Sequence, residues 1–142
     1  MLYSFGYEQR DLDEVVALLD GHGVEVLLDV RATPRSRKRG LSKTPLTEAL
    51  AQVGIEYRHD ARLGVPSDDR PAFRRGEQAA VRRYRERIAD ADRDAVEQVA
   101  SLARARDVAL LCFERDERTC HRRIVVDLVC AQDPAVEHVA IP

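Results

Sequence analysis

Residues 109–123, ALLCFERDERTCHRR, predict a buried strand, a polar turn and the start of a helix. The apolar run Val108–Leu111 comes after a predicted helix in the chain. It is typical of a strand covered on both faces in a parallel sheet. We expect this strand to end near Phe113. Thr119 is predicted to cap a helix whose apolar positions are Ile124, Val125, Leu128 and Val129.

Hydrophobic patterning on either side of this stretch predicts alternating strands and helices. Strands are expected at residues 2–5, 24–30, 55–58, 108–113 and 136–141. Helices are expected from residue 10 or 11 to 21, over 45–53, from 77 to about 90, from 92 to 103 and after 119, with a long loop over 59–76. Alternation of this kind gives right-handed crossovers and parallel strands. The sequence therefore predicts a single three-layer α/β domain over residues 1–142, with a mainly parallel sheet of about five strands flanked by helices.

Composition limits the classes of protein to which the chain can belong. Of 142 residues, 44% are hydrophobic and the formal net charge is −2, which does not indicate a general nucleic-acid binder. No apolar run approaches the ~20 residues that span a bilayer. The N-terminus lacks the pattern of a signal peptide, and three cysteines favour reduced thiols over a disulfide framework. We expect a cytoplasmic protein without membrane contact.

Chemically active side chains follow several predicted strands. In parallel sheets, ligands bind beyond the carboxyl ends of the strands, where the strand-to-helix loops gather. The residues that we expect to share this edge are Asp29, Arg31, Arg35, His59, Arg62, Cys112, Glu114, Cys120 and His121.

Cys120 is the candidate nucleophile of this edge. A thiol in the first turn of a helix is expected to have a lowered pKa, because the helix dipole and nearby arginines favour the thiolate. His121 or His59 is the candidate base, and Glu114 and Asp29 complete the predicted catalytic set. The alternative is that Cys120 only packs beneath the loop, since free cysteine is often buried.

A basic run from Arg31 to Lys43 contains no acidic residue and indicates an anionic partner. Arginine binds phosphate bidentately, although runs of charge are often only solvated surface. The residues predicted to bind substrate or anion are Arg31, Arg35, Arg37, Arg122, Gly6, Tyr7 and His59. The four tyrosines are scattered, which favours a nucleotide or a structured nucleic acid over a single strand bound by base stacking.

Metal binding is the alternative use of the same residues. Cys112, Glu114, Cys120 and His121 are permissible ligands, but their spacing matches no common zinc motif. The primary prediction therefore contains no metal site, and the sequence identifies no cofactor.

The motifs together resemble the domain of unknown function 488 (DUF488) family. The resemblance rests on four stretches in the same order: residues 27–31 with 34–37, residues 54–57 with 63–64, residues 111–114 and residues 120–122. The resemblance implies a compact α/β domain in which many motif residues lie at one edge of the sheet. It implies no particular activity. The family often has Gly-His-Ser after the first strand, where this chain has Gly6-Tyr7-Glu8, and a second glycine where this chain has Val65.

Two functions stay open at this point. One is an enzyme that acts on a phosphate-bearing substrate, a nucleotide or nucleic acid, at the Cys/His/Arg/Glu edge. The other is a noncatalytic nucleic-acid-binding or accessory module that contacts phosphates through the arginine-rich loop.

Overall fold

Strand β4 (Val108–Cys112) is the middle strand of a five-stranded parallel sheet in the computed structural model, which describes residues 1–142. The other strands are β1 (Leu2–Gly6), β2 (Val26–Asp29), β3 (Glu56–His59) and β5 (His138–Ala140). Their order across the sheet is β3-β2-β4-β1-β5, and every pairing is parallel. The predicted α/β fold with a parallel sheet is confirmed.

Six α-helices connect the strands: α1 (Leu12–Gly21), α2 (Lys43–Gln52), α3 (Arg70–Arg74), α4 (Gln78–Ala89), α5 (Arg93–Ala105) and α6 (Arg122–Gln132). Two short 3₁₀ helices cover Ala61–Leu63 and Glu117–Thr119. None of these helices combines the length and the apolar character needed to cross a membrane.

The sheet separates two apolar layers. Along β4, Val108, Leu110 and Cys112 pack into a core of 24 buried residues that also includes side chains of α4, α5 and α6. Ala109 and Leu111 face a second core of 13 residues, which includes side chains of α1 and α2. Alternate residues of a strand point to opposite faces, so a strand buried on both faces must be apolar at every position. This explains why β4 lacks the alternation of an exposed strand.

Local sequence signals account for several element boundaries. Asp11 precedes α1, and its Oδ1 accepts a hydrogen bond from the Glu14 N–H at 2.8 Å, as expected of an N-cap. Pro45 lies in the first turn of α2, where its missing N–H costs nothing. Gly54 follows that helix with a φ of +77°, a conformation that favours glycine.

Two predicted boundaries are wrong. Thr119 does not cap a helix, because residues 117–119 form a 3₁₀ turn whose cap, Asp116, accepts a hydrogen bond from the Arg118 N–H. Cys120 is therefore extended, and His121 is the N-cap of α6. The predicted loop over 59–76 contains a 3₁₀ turn and the short helix α3. Both elements are too short to show helical periodicity in the sequence, so hydrophobic patterning does not predict them.

Candidate active site at the carboxyl edge

A cavity of about 90 Å³ opens where β1, β2 and β4 end. Its lining combines basic, sulfur-containing and aromatic side chains. The residues are Tyr7, Arg31, Ala32, Thr33, Arg35, Val65, Arg70, Phe73, Arg74, Cys112, Phe113, Glu114, Thr119, Cys120 and His121. The cavity is smaller than the ~150 Å³ that admits benzene, so it suits a group of about the size of a phosphate.

A network of hydrogen bonds around Asp29 and Arg31 lies on one side of the cavity. Asp29 is fully buried and Arg31 is 6% exposed, and the Arg31 Nη2 lies 2.7 Å from Asp29 Oδ2. The Arg31 Nε also donates to Asp29, and its Nη1 donates to the Leu41 carbonyl at 2.7 Å and to the Tyr7 hydroxyl at 3.3 Å. The guanidinium has five N–H donors, and the chain already occupies most of them.

Two further side chains complete this network. The Tyr57 hydroxyl donates to Asp29 Oδ2 at 2.6 Å, and His59 Nε2 donates to the Arg31 carbonyl at 2.7 Å. Burial alone would lower the pKa of Arg31, but the hydrogen bond and charge of Asp29 raise it above the ordinary value. The arginine is therefore charged and held in place. We refer to Asp29, Arg31, Tyr7, Tyr57 and His59 as the Asp29–Arg31 network.

The Cys–His cluster, which consists of Cys112, Cys120 and His121, lies at the bottom of the cavity. His121 Nδ1 is 3.6 Å from Cys120 Sγ and 3.8 Å from Cys112 Sγ. His121 Nε2 donates to the Val30 carbonyl at 2.9 Å, so in the neutral ring Nδ1 is the acceptor that faces both sulfurs. All three residues are buried.

Glu114 connects this cluster to the cavity mouth. Its Oε2 accepts a hydrogen bond from Cys112 Sγ at 3.5 Å, and its Oε1 lies 3.4 Å from Arg74 Nε. Burial works to raise the pKa of Glu114, but its own backbone N–H, the Cys120 thiol and Arg74 outweigh burial and lower the pKa. Glu114 is consequently a carboxylate at neutral pH and can accept a proton or bind a cation.

The structure contradicts the expected acidity of Cys120. The residue precedes α6 instead of lying in its first turn, and it is only 4% exposed. Burial and the neighbouring Cys112 raise the pKa of the Cys120 thiol well above its ordinary value, against the opposing effect of His121. A desolvated thiolate is unfavourable, so the thiol at rest is protonated.

Arginines from α3 supply the part of the cavity that the sequence did not predict. Arg70 and Arg74 line it together with Arg35 from the basic loop. Arg74 pairs with Glu114, whereas no carboxylate lies within ion-pair distance of Arg35 or Arg70. The signal available in the sequence was the unusual length of the predicted loop over 59–76, which is typical of functional segments.

Several predicted site residues lie away from the cavity lining. Arg37 is exposed on the basic loop, and Asp29 and His59 contact Arg31 from behind. Arg62, which we expected at the same edge, instead pairs with Asp60 at 2.7 Å. The structure thus collects Arg31, Arg35, Tyr7, Cys112, Glu114, Cys120 and His121 around the cavity, but not the others.

Arg122 and Gly6 occupy the backbone junction between β1 and the Glu114 segment. Arg122 is fully buried, and it donates to the Phe5 and Glu114 carbonyls at 2.5 Å each. A Cβ on Gly6 would lie 1.9 Å from the Glu114 carbonyl oxygen. These contacts fix the position of the Glu114 backbone. Arg122 and Gly6 therefore position Glu114 and do not line the cavity, in contrast to their predicted role in anion binding.

The fold and the cavity define a class: an α/β domain with a small polar cavity at the carboxyl edge of a parallel sheet. The chain belongs to the family described as domain of unknown function DUF488, whose model matches residues 11–129. The matched range contains every cavity residue except Tyr7. Comparisons with curated proteins and with solved structures found no match.

Proposed function

We propose that this protein is an enzyme that acts on a phosphate-bearing substrate in the cavity at the carboxyl edge. The observation that carries the proposal is the pair Arg35 and Arg70, which line the cavity with no carboxylate partner, above a cluster of sulfur, imidazole and carboxylate groups. Unpaired guanidinium groups bind phosphate through charge-assisted hydrogen bonds.

The size of the cavity supports recognition of a phosphate rather than of a whole nucleotide. A volume of about 90 Å³ accommodates the phosphate, and the remainder of the substrate would extend into the adjoining groove. That groove shares Phe73, Arg74, Thr119 and Cys120 with the cavity and has a volume of about 420 Å³. Its lining includes Arg75, Arg85, Arg118 and Arg123, but each of these pairs with a carboxylate, so we assign the anion site to the cavity and not to the groove.

Glu114 is the proposed proton-transfer group. It is a carboxylate at the cavity mouth, and Arg74 holds one of its oxygens. A general base must lie within hydrogen-bond reach of its substrate, and Glu114 lines the space in which the substrate would be bound. We assign Cys120 no role as a free nucleophile, because its surroundings disfavour the thiolate unless a further group stabilises it.

Binding of inorganic phosphate tests the anion site. We expect calorimetry to show that Arg35→Ala and Arg70→Ala each weaken phosphate binding about tenfold or more, since a charge-assisted hydrogen bond contributes ~1.5–3 kcal/mol. Arg39→Ala is the matched control, because Arg39 is exposed on the same basic loop but does not line the cavity. Equal phosphate affinity in all three variants would contradict the assignment of Arg35 and Arg70 to an anion site.

Turnover is tested separately. Nucleotides and phosphomonoesters are incubated with the protein, and the products are followed by phosphorus NMR. We expect conversion of at least one substrate by the wild type and loss of that conversion in Glu114→Gln. A conversion that is unchanged in Glu114→Gln would contradict the assignment of Glu114.

A noncatalytic nucleic-acid-binding module is the second candidate function. The observation that favours it is the basic loop, on which Arg35, Arg37 and Arg39 are exposed and have no carboxylate partner. Phosphate contacts of this kind give affinities that fall steeply with salt. Affinity for duplex or structured RNA that falls with salt and is reduced in Arg37→Ala and Arg39→Ala would support this function, whereas no affinity at low salt would exclude it.

A further inference from the structure

The Cys–His cluster has the dimensions of a metal centre. The Sγ atoms of Cys112 and Cys120 and the Nδ1 of His121 all lie within 4.8 Å of one another. A tetrahedral zinc ion with ordinary bond lengths separates a thiolate from an imidazole nitrogen by ~3.6 Å and two thiolates by ~3.8 Å. The two sulfur-to-nitrogen distances of the cluster are 3.6 Å and 3.8 Å. The two sulfur atoms, which lie within 4.8 Å of each other, would approach by up to about 1 Å for the three atoms to bind one ion.

His121 is oriented in the way that metal-binding histidines usually are. A ligand histidine typically donates its other ring N–H to a carbonyl or carboxylate, which fixes the tautomer and the ring. Here Nε2 donates to the Val30 carbonyl at 2.9 Å. Phe73 and Tyr84 pack against the same ring in T-shaped arrangements, with centroid distances of 6.4 Å and 5.6 Å. The Nδ1 lone pair is thereby directed toward the two sulfurs.

Glu114 lies beside the cluster on the cavity side. Its Oε2 is 3.5 Å from Cys112 Sγ, and Arg74 lies 3.4 Å from the other oxygen. The carboxylate does not belong to the group whose ligand atoms all lie within 4.8 Å of one another. Three donors of suitable type therefore converge from the end of β4 and from the segment before α6, as in zinc sites with an open fourth position.

We propose that Cys112, Cys120 and His121 bind a zinc ion whose fourth position is open to the cavity, which leaves Glu114 free for proton transfer. Two thiolates with one imidazole favour zinc over hard cations such as magnesium. On binding, each Sγ–H bond breaks, the proton passes to solvent, and the sulfur electron pair forms the bond to zinc without any redox change. The ion would thus supply the stabilisation of the Cys120 thiolate that the chain alone does not provide. The proposal is independent of phosphate binding, which the arginine variants measure.

Metal analysis of protein purified without a histidine tag tests the proposal. We expect about one zinc per chain. We expect Cys112→Ser, Cys120→Ser and His121→Gln each to weaken zinc affinity at least about tenfold, as measured by competition with a chromophoric chelator. Cys130→Ser is the matched control, because Cys130 lies on α6 outside the cluster and should leave zinc affinity unchanged. Equal affinity in the wild type and the three cluster variants would overturn the proposal.

Cobalt substitution keeps the test decisive if a cluster variant does not fold. The wild-type chain is treated with chelator and titrated with Co²⁺, which gives thiolate-to-metal charge-transfer absorption only when cysteine sulfur is bound. We expect this absorption in the wild type and in Cys130→Ser, and its loss when zinc is added. Absence of the absorption in folded wild-type protein would overturn the proposal.

Discussion

The Asp29–Arg31 network and the Cys–His cluster both lie at the carboxyl edge of the sheet, but hydrogen bonds of different strength hold their polar groups. In the network, a buried guanidinium and a buried carboxylate bind each other and also Tyr7, Tyr57 and the Leu41 carbonyl. In the cluster, the contacts are hydrogen bonds of thiol groups, and His121 Nδ1 lies 3.6 Å from Cys120 Sγ and 3.8 Å from Cys112 Sγ. A thiol is a weak hydrogen-bond donor, so these contacts stabilise the fold less than the charged network does, and the same sulfur and nitrogen atoms are available to bind a metal ion.

Asp29→Asn gives the largest expected effect and tests whether the network is structural. The substitution leaves the Arg31 charge buried without its counter-charge, and loss of one partner of a buried pair costs ~3–5 kcal/mol. Urea denaturation should show this loss in the free energy of unfolding. Asp116→Asn is the control, because the Asp116–Arg118 pair is exposed, so solvent and salt screen it and its loss should change the free energy of unfolding far less. Similar losses in both variants would contradict the comparison.

Gly6→Ala tests the junction that holds Glu114 beside the cluster. The new Cβ would meet the Glu114 carbonyl oxygen at 1.9 Å, so the Glu114 segment must move. We expect a loss of ~1–3 kcal/mol in the free energy of unfolding. Gly21→Ala is the matched control, since a Cβ there has no atom within 4 Å, and it should be neutral or stabilising. A neutral Gly6→Ala would show that Glu114 is not held by this contact.

Tyr57→Phe sharpens the account of the network by removing one hydrogen bond while the charged pair stays intact. The Tyr57 hydroxyl donates to Asp29 at 2.6 Å, so its loss should lower the free energy of unfolding by ~1 kcal/mol. Tyr3→Phe provides the comparison, because the Tyr3 hydroxyl makes no hydrogen bond within the chain and packs only partly against the core. Calorimetric unfolding of both variants measures the difference, and equal unfolding temperatures would be inconsistent with the network.

Acidification should produce the smallest effect, and it concerns Glu114. Because the pKa of Glu114 is lower in the folded chain, the ionised carboxylate stabilises the fold above the pKa of the unfolded state. That stabilisation is lost as the pH falls through the lowered folded pKa. Stability curves from pH 7 to pH 3, measured on metal-free protein, should therefore fall more steeply for the wild type than for Glu114→Gln. A steeper fall in Glu114→Gln would reverse the sign and contradict the assignment.

The sequence predicted the sheet and most of the carboxyl edge because these depend on general patterns. Fully apolar strands such as Val108–Cys112 indicate burial on both faces, and parallel topology then brings Arg31, Cys112 and Glu114 to one edge. These inferences need no knowledge of side-chain contacts. They predict which loops meet at the edge, but they do not predict which polar groups are already paired within the chain.

What the sequence could not predict depends on short segments and on burial. Helix α3 has five residues, too few for a periodic pattern, so Arg70 and Arg74 were not assigned to the site. The 3₁₀ turn at Glu117–Thr119 delays the start of α6, which removes Cys120 from the helix dipole. The pKa of a thiol depends on its desolvation, and that is a property of the folded chain.

The most direct test of the proposed anion site is a titration of the protein with inorganic phosphate, followed by NMR of the arginine Nε–H signals. The account predicts that the signals of Arg35 and Arg70 shift with phosphate concentration, because these side chains line the cavity without a carboxylate partner. The Arg31 signal should stay in place, because its Nε–H is bound to Asp29. A phosphate-dependent shift of Arg31 alone, or of none of the three, would contradict it.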